Sequence, residues 1–278
     1  MMNKFSVVMP LYFKENPIFF REAIESILNQ TLTPDEIVLV VDGPVGRDLE
    51  NELIALKDNK IIKIIRLEKN QGIGIARRTG VDNTSYNILA VMDSDDISVK
   101  NRFETQIPFI LNGHADVVGG FIEEFDQEVG DIGLIRELPT ECKDIYKFGK
   151  WRMPVNNVTL MFTKDVYETA GGYPNLRSCE DWHLVTKWLA NGVKFHNIDS
   201  VAVNVRGGLN MIKRRRSINF QYHQLKVFPL MYKLKYIGTY HLFMNIFIRL
   251  ILIIMPTFTT KFLYENILRK RLKKLRVK

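Results

Sequence analysis

The sequence has few cysteines, prolines and glycines, and it has no long uninterrupted run of apolar residues. Its 278 residues include 2 cysteines, 10 prolines and 17 glycines. Two cysteines cannot build a disulfide framework or a four-cysteine zinc site, and they suit a reducing compartment. The 46% of hydrophobic residues excludes a disordered chain, and the low glycine and proline content excludes a collagen-like one. We expect a globular protein with one large domain or two small ones.

Neither an export signal nor a membrane span is indicated by the pattern of apolar residues. The first apolar run, residues 5–9, ends at Pro10 and is followed closely by charged residues, whereas a secretory signal carries a longer apolar core. The most apolar stretch, residues 242–255, is interrupted by Asn245 and Arg249. Because a spanning helix needs about 20 apolar residues, we expect no span here; a helix lying on or dipping into a membrane surface stays open.

Acidic residues are almost absent from the last quarter of the chain. Residues 206–278 hold 17 of the 39 lysines and arginines but only one of the 31 acidic residues, Glu265. Aromatic and aliphatic residues are interleaved with these bases, which is typical of a helix on an anionic membrane surface. The alternative is a helical subdomain packed on the rest of the protein. We expect no nucleic-acid partner, because the segment is more aliphatic than basic arms of that kind.

Short runs rich in valine and isoleucine alternate with helical patterns over the first hundred residues. The runs have the length of buried parallel strands and lie at residues 5–9, 36–41, 61–67 and 88–92. Asn16 and Pro17 predict the start of an amphipathic helix between the first two. Strand–helix–strand units at this spacing predict a parallel sheet with right-handed crossovers.

The pattern is looser after the fourth strand. Helices are predicted over residues 99–111, disturbed by Pro108, and over residues 180–191. Strands are predicted at residues 116–122, 158–163 and 201–205, and the basic segment is expected to be helical from about Asn219.

Acidic residues follow two of the four N-terminal strands. Asp42 ends the second, and the fourth continues into Asp93, Ser94, Asp95 and Asp96. In an open parallel sheet, ligands bind beyond the carboxyl ends of the strands. Packed carboxylates need a positive partner, and Mg²⁺ or Mn²⁺ that bridges carboxylates to phosphate is an economical one. The alternative is a turn followed by a helix cap.

Two predicted helix starts carry further candidate residues. Residues 70–74 precede the helix that bears Arg77; glycines there permit close approach of a phosphate, and an arginine adds donors. Glu180, Asp181 and Trp182 open a later helix. Acids in a first turn complement the helix dipole, but a carboxylate beside an aromatic ring also suits a general base that receives a sugar hydroxyl. Spacing alone leaves both interpretations open.

Taken together and in order, these segments resemble family 2 glycosyltransferases. The matching segments are residues 5–12, 26–31, 36–44, 70–74, 92–96, 171–173 and 180–182. The resemblance covers about residues 3–206 and points to enzymes that build bacterial capsule, exopolysaccharide or O-antigen repeats. It implies an α/β GT-A fold with a Rossmann-like central mixed sheet flanked by helices. The nucleotide-sugar half would be residues 1–97 and the acceptor half residues 98–205, followed by the basic helical extension of residues 206–278.

The resemblance also implies roles for individual residues. The donor and nucleotide site would comprise Pro10, Tyr12, Glu15, Asp42, Arg77, Asp93, Ser94 and Asp95. Asp93 and Asp95 match the DXD pair, which holds Mn²⁺ or Mg²⁺ on the diphosphate. Asp181 matches the catalytic base, with Glu180 beside it and Trp182 on the acceptor side.

The implied activity is inverting, metal-dependent transfer of a sugar from a nucleotide sugar, with UDP the commonest carrier in the family. The acceptor would be a glycan or a polyprenyl-diphosphate-linked sugar, and the enzyme would sit peripherally on the inner face of the plasma membrane. Transfer would be non-processive, because the Gln-x-x-Arg-Trp motif and multiple spans of processive synthases are not found. A nucleotidyltransferase and a non-catalytic, nucleotide-sugar-binding scaffold on the membrane are the alternatives. The first needs a basic phosphate-gripping loop near the N-terminus that residues 10–13 do not supply.

Overall fold

Ten strands join in one mixed sheet in the computed structural model, which describes residues 4–207, 217–255, 259 and 269–271. The strands are β1 (Phe5–Tyr12), β2 (Glu36–Asp42), β3 (Ile62–Arg66), β4 (Ile88–Val91), β5 (Ile97–Ser98), β6 (Val117–Phe125), β7 (Leu134–Arg136), β8 (Met161–Thr163), β9 (Phe195–Arg206) and β10 (Lys270–Arg271). Eight of them run in the order β10-β7-β6-β8-β4-β1-β2-β3, while β9 pairs with both β5 and β6.

Helices cover the sheet and continue into the basic segment. Within the described residues they are α1 (Pro17–Leu28), α2 (Arg47–Ala55), α3 (Ile73–Asp82), α4 (Arg102–Leu111), α5 (Cys142–Gly149), α6 (Lys164–Thr169), α7 (Glu180–Ala190), α8 (Ile218–Leu225), α9 (Val227–Lys233) and α10 (Thr239–Ile254). A single 3₁₀ turn, Asn157–Thr159, precedes β8.

The N-terminal half confirms the predicted parallel sheet. Strands β3, β2, β1 and β4 are neighbours and all run parallel. The side-chain oxygen of Asn16 accepts a hydrogen bond from the amide of Ile18 (2.9 Å), and Pro17 occupies the first helical position, so α1 begins as predicted. Alternation along β1 divides the core: Val7 packs with α1, α2 and α4 on one face, whereas Val8 packs with α3, α6 and α7 on the other.

The second half is more regular than its sequence indicates. Strand β8 runs antiparallel to β4 and β6, and β9 runs parallel to β6, so the sheet is mixed as expected. Two elements, β7 and α5, lie in the segment before Trp151 where no regular structure was predicted. The strand predicted at 158–163 is shorter than expected, because residues 157–159 form a 3₁₀ turn and β8 begins at Met161. The hydroxyl of Thr159 in this turn accepts a hydrogen bond from the amide of Gly120 (2.9 Å).

The basic segment is helical between residues 218 and 254, as predicted, but Lys270–Arg271 form strand β10 where helix was expected. Buried residues of α9 pack on the start of α7 in a cluster that contains Cys179, Trp182, Val227, Phe228, Met231 and Ile237. No helix in the described portion of the chain is both long and apolar enough to cross a membrane. The basic runs at residues 213–216 and 272–278 lie outside the described residues.

A buried ion pair connects the last described segment to the central sheet. Arg269 donates through Nε and Nη2 to one carboxylate oxygen of Glu124 on β6, at 2.8 and 2.6 Å. Both side chains are almost fully buried, and β10 then pairs with β7. Because Glu124 sits in the sheet interior, the arginine neutralises a charge that water cannot reach.

Arg269→Ala is expected to lower the free energy of unfolding by about 3–5 kcal/mol, because it leaves the Glu124 carboxylate buried without this partner. Urea denaturation measures the change. Lys147→Ala is the matched control: it breaks an exposed pair with Asp144 and should cost less than about 1 kcal/mol. Equal small losses in both variants would contradict the structural importance of the buried pair.

Candidate active site

The carboxyl ends of β1, β2 and β4 meet at one edge of the sheet. Tyr12 lies opposite Asp42 in the parallel register of β1 and β2. The amide of Met92 donates to the carbonyl of Val8 (3.0 Å), so Asp93 follows β4 at this same edge. The predicted donor residues therefore come together: Pro10 is buried within β1, and the Tyr12 side chain is exposed at its end.

Asp42 fixes the loop that leads into α3. One carboxylate oxygen accepts from the amide of Gln71 (2.7 Å), and the other accepts from the amide of Gly72 (2.9 Å) and the side chain of Asn70 (3.0 Å). The loop also lies so close that a Cβ on Gly43 would sit 2.5 Å from the Asn70 nitrogen. The buried carboxylate thus organises this loop; its predicted contact with the nucleotide base stays a prediction.

The glycines at the start of α3 allow residues 174–177 of the same chain to pack closely against this helix. A Cβ on Gly74 would lie 2.4 Å from the carbonyl oxygen of Pro174, and the Gly74 amide donates to the carbonyl of Leu176 (3.2 Å). A Cβ on Gly72, whose φ is +95°, would meet the Arg177 side chain. The space that the sequence suggested for a phosphate is therefore filled by residues 174–177, which bring α3 against the segment before α7.

Arg77 joins the two halves of the site. It projects from α3, is buried, and donates to Asp93 after β4 (2.5 Å) and to Glu180 at the start of α7. With its amide oxygen turned toward the guanidinium, Asn157 accepts from both terminal nitrogens of Arg77 at 3.0 and 3.1 Å. The ring of Tyr173 lies 6.0 Å away. One side chain thus holds the end of a donor-side strand against the helix that carries the predicted base.

The charges around Arg77 do not balance. Burial works to lower the pKa of Arg77, but the carboxylates of Asp93 and Glu180 outweigh it and raise that pKa, so the arginine stays charged. Burial raises the pKa of Glu180 to about 7, opposed by Arg77 and reinforced by Asp181. A single arginine therefore faces three carboxylates. From the sequence, a metal ion was expected to supply the positive charge that the clustered carboxylates need. In the structure, Arg77 supplies part of that charge.

Asp181 is more exposed than Glu180, the other acid at the start of α7. Glu180 is buried and used by Arg77, whereas Asp181 is partly exposed and its Oδ1 accepts from the amide of Trp182 (2.8 Å). Burial raises the pKa of Asp181, although Arg77 acts in the opposite direction. Of the two acids that open α7, Asp181 is the one with the exposure that a general base needs.

The loop after β4 is fixed from both sides. The hydroxyl of Ser94 donates to Glu15 (3.1 Å), whose pKa is raised by burial. On the other side, Arg206 at the end of β9 donates from its amide to Asp96 (2.8 Å) and from Nε to the carbonyl of Asp95 (3.2 Å). Burial raises the pKa of Asp96, and the like charges of neighbouring aspartates add to the effect.

The residues of the DXD pair suit a divalent cation that also binds phosphate. The Asp93 side chain is 32% exposed, and Asp95 is partly exposed beside it. Mg²⁺ and related ions are commonly held by one or two carboxylates together with substrate phosphates. Among the residues that the structure describes, no three histidine, cysteine or acidic side chains form a metal-binding group. Because Arg77 already binds one oxygen of Asp93, a cation held by these two carboxylates would need phosphate oxygens to complete its coordination.

Trp182 lies on the side of α7 that faces the C-terminal helices. Its side chain is only 4% exposed, and its ring meets Phe228 edge to face with a centroid distance of 5.6 Å. The aromatic ring therefore forms part of the contact between α7 and α9. Its predicted place on the acceptor side stays a prediction.

Sequence reasoning missed Asn157 and Arg102, two residues that support the site. Arg102 on α4 is fully buried and donates to the carbonyl of Val91 (2.9 Å) and to Gln106 (3.0 Å). Burial lowers the pKa of Arg102 to about 9. It therefore fixes the backbone just before Asp93. The signal was present: an arginine and a glutamine four residues apart on the apolar face of a helix.

Comparison with known proteins gives this arrangement a family. Residues 6–168 match the protein family described as "Glycosyl transferase family 2". An Escherichia coli protein is 34% identical over 96% of this chain and 97% of its own length. It is named UDP-Gal:alpha-D-GlcNAc-diphosphoundecaprenol beta-1,3-galactosyltransferase.

Solved structures of low sequence identity share the fold. S. aureus TarS 1-349 in complex with UDP-GlcNAc superposes with a TM-score of 0.63 at 21% identity, over 82% of this chain and 65% of that one. Mannosyltransferase PcManGT from Pyrobaculum calidifontis, in complex with GDP-Man and Mn²⁺, gives 0.63 at 14% identity, over 83% of this chain and 64% of that one. The chain thus spans slightly less than two thirds of both solved chains. The predicted GT-A fold is confirmed, and the chain belongs to glycosyltransferase family 2.

Proposed function

We propose that this glycosyltransferase moves one sugar at a time from a UDP-sugar to a lipid-linked acceptor in bacterial surface polysaccharide synthesis, with inversion at the anomeric carbon. The observation that carries the proposal is the bridge made by Arg77. It brings Asp93, which follows a strand of the predicted nucleotide half, into one site with Glu180 and Asp181 of the acceptor half. A donor held at the strand edge would therefore lie beside a partly exposed carboxylate.

The donor side supports nucleotide-sugar binding. Its residues converge at one edge of the sheet. Of the two solved proteins that share the fold, TarS was solved with UDP-GlcNAc and PcManGT with GDP-Man and Mn²⁺. In this chain, Asp93 and Asp95 would hold Mn²⁺ or Mg²⁺. When bound, such an ion stabilises the negative charge that grows on the departing diphosphate. Glu15 and Ser94 keep the loop that bears both aspartates in place.

The acceptor side supports a single displacement. Asp181 takes the proton from the acceptor hydroxyl while that oxygen attacks the anomeric carbon from the face opposite the diphosphate. The bond to the diphosphate oxygen breaks as the new glycosidic bond forms, so the configuration inverts. Glu180 stays paired with Arg77 and positions the start of α7 rather than moving the proton. A positioned general base contributes about 10²–10⁴-fold to the rate.

Asp181→Asn is expected to lower kcat for sugar transfer by about 10²–10⁴-fold while leaving UDP-sugar affinity within about twofold. Release of nucleoside diphosphate from a panel of sugar nucleotides, with bacterial membrane extract as acceptor source, measures turnover in Mn²⁺, Mg²⁺ or EDTA. Because the pKa of Asp181 is raised, the acid limb of the wild-type profile should lie above the ordinary aspartate pKa of about 3.9. Activity is lost as the pH falls through that raised pKa, since the base must be ionised.

The matched control is Asp144→Asn, which neutralises an exposed aspartate on α5 and should leave turnover unchanged. Asp95→Ala separates the metal from the base, because it should remove metal-dependent donor binding as well as turnover. Full activity of Asp181→Asn would contradict the base assignment. Binding of a sugar nucleotide without turnover in any of these conditions would favour the non-catalytic scaffold.

The membrane side of the proposal is supported by the orientation of α10. Its buried polar residue, Asn245, faces the protein and donates to the carbonyl of Lys150 (2.9 Å). Its large apolar residues face outward, with Phe243 66% and Ile254 83% exposed. A helix with polar residues inside and apolar residues outside is unfavourable in water and suits a lipid surface. The bases of residues 206–278 add attraction to an anionic leaflet.

Phe243→Ser/Phe247→Ser is expected to reduce partition into phosphatidylglycerol-containing vesicles by about tenfold or more, because each phenylalanine inserted into lipid contributes roughly 1.5–3 kcal/mol. Co-sedimentation with vesicles measures the partition. The control, Ile54→Ser/Val129→Ser, removes two exposed apolar residues from other surfaces and should bind as the wild type does. Undiminished binding of the Phe243/Phe247 variant would show that α10 does not form the contact.

A further inference from the structure

The loop that carries the DXD pair lies beside the end of β9. Strands β5 and β9 are antiparallel neighbours, with Ile97 opposite Asn204, so Arg206 at the end of β9 comes next to the last residues of the loop. Its amide donates to the Asp96 carboxylate (2.8 Å), and its Nε donates to the carbonyl of Asp95 (3.2 Å). A residue distant in sequence therefore contacts the backbone of a predicted metal ligand.

The Arg206 side chain is held on several sides. Its guanidinium carbon lies 3.7 Å from the ring centroid of Phe19 and 4.5 Å from that of Phe125. Nη2 donates to a carboxylate oxygen of Glu22 on α1 (2.5 Å), and the side chain is only 9% exposed. A planar guanidinium placed between two aromatic rings and an acid has little freedom to move. Its Nε therefore keeps a constant position opposite the Asp95 carbonyl.

The backbone and the side chain of Arg206 act on different residues. The bond to Asp96 comes from the backbone amide, which any residue except proline would supply at this position. The side chain bonds to Asp95 and Glu22, so its loss would release the Asp95 carbonyl while Asp96 stays bound. The carbonyl belongs to the planar peptide between Asp95 and Asp96. Fixing that plane limits the directions in which the Asp95 carboxylate can project.

We propose that Arg206 is a positioning residue for the divalent cation of the donor: it fixes the backbone of Asp95 so that the carboxylate is ready to bind Mn²⁺ or Mg²⁺. The inference rests on the proposed function, in which the DXD pair holds that ion. Glu15 secures the loop from the other side through Ser94, and Arg206 secures its end. Removing a group that orients a metal ligand typically lowers metal affinity by about 10–100-fold.

Binding of Mn²⁺ to the full chain in saturating UDP, followed by the electron paramagnetic resonance signal of free Mn²⁺, tests the proposal without measuring turnover. Arg206→Met is expected to weaken Mn²⁺ binding by about 10–100-fold. Methionine keeps apolar contact with the two rings but donates no hydrogen bond. Arg21→Met is the matched control: it breaks an exposed ion pair between α1 and Glu52 and should bind Mn²⁺ within about twofold of wild type.

The affinity for uridine separates positioning of the metal ligand from a general loss of structure. Uridine carries no phosphate for a cation to bridge, so Arg206→Met should bind it as the wild type does. Arg206→Lys keeps a charge that can face Glu22 but has no donor at the position of Nε. It should therefore also bind Mn²⁺ more weakly than the wild type, and it decides the matter should the methionine variant fail to fold.

The outcomes distinguish this inference from the proposed function. Equal Mn²⁺ affinity of wild type and Arg206→Met, or a parallel loss of uridine and Mn²⁺ binding, would overturn the positioning role. Wild-type affinity for UDP that is the same in Mn²⁺ and in EDTA would also overturn it, while donor binding would stand. Absence of UDP binding from the wild type would count against the proposed function itself, and the inference would fall with it.

Discussion

The buried guanidinium of Arg77 is the interaction on which the candidate site depends. The carboxyl edge of the parallel sheet and the first turn of α7 are distant in sequence, and each carries carboxylates that repel one another. Arg77 contacts Asp93 on one side and Glu180 on the other, so a repulsive arrangement becomes a connected one. Because Glu180 is used in this bridge, Asp181 is left as the partly exposed carboxylate. The division of labour between two adjacent acids therefore follows from where one arginine lies.

The C-terminal helices extend this arrangement toward the proposed acceptor. Trp182, one residue after Asp181, packs against Phe228 of α9 and lies under Arg249 of α10. The first turn of α7 thus has a face toward the donor edge and a face toward the basic segment. Helix α10 keeps Asn245 inside and large apolar residues such as Phe243 outside, which is the reverse of a helix that faces water. The first turn of α7 is therefore packed against the helices that carry the outward apolar surface.

The sequence predicts the parallel half of the fold well, because buried strands and amphipathic helices leave periodic signals there. Asn16 and Pro17 locate the start of α1, and the strand-end aspartates locate the edge of the site. The sequence predicts less where function depends on contacts between distant segments. In the sequence, Gly74 suggests room for a phosphate beside the start of α3. In the structure, the carbonyls of Pro174 and Leu176 occupy that space. Asn157 leaves no pattern in the sequence, and the spacing of Arg102 and Gln106 gives their position on a helix but not their target, which exists only when α4 reaches the end of β4.

Arg77 stabilises the fold by compensating the buried carboxylate of Glu180 and the partly exposed carboxylate of Asp93. The most direct measurement is the free energy of unfolding of Arg77→Met, Glu180→Gln and the double variant at pH 8, above the pKa of about 7 for Glu180. Arg77→Met alone should cost about 3–5 kcal/mol. The double variant should be more stable than Arg77→Met, because neutralising Glu180 removes one of the carboxylates left without a partner. A double variant as unstable as the sum of the two single losses would contradict the account.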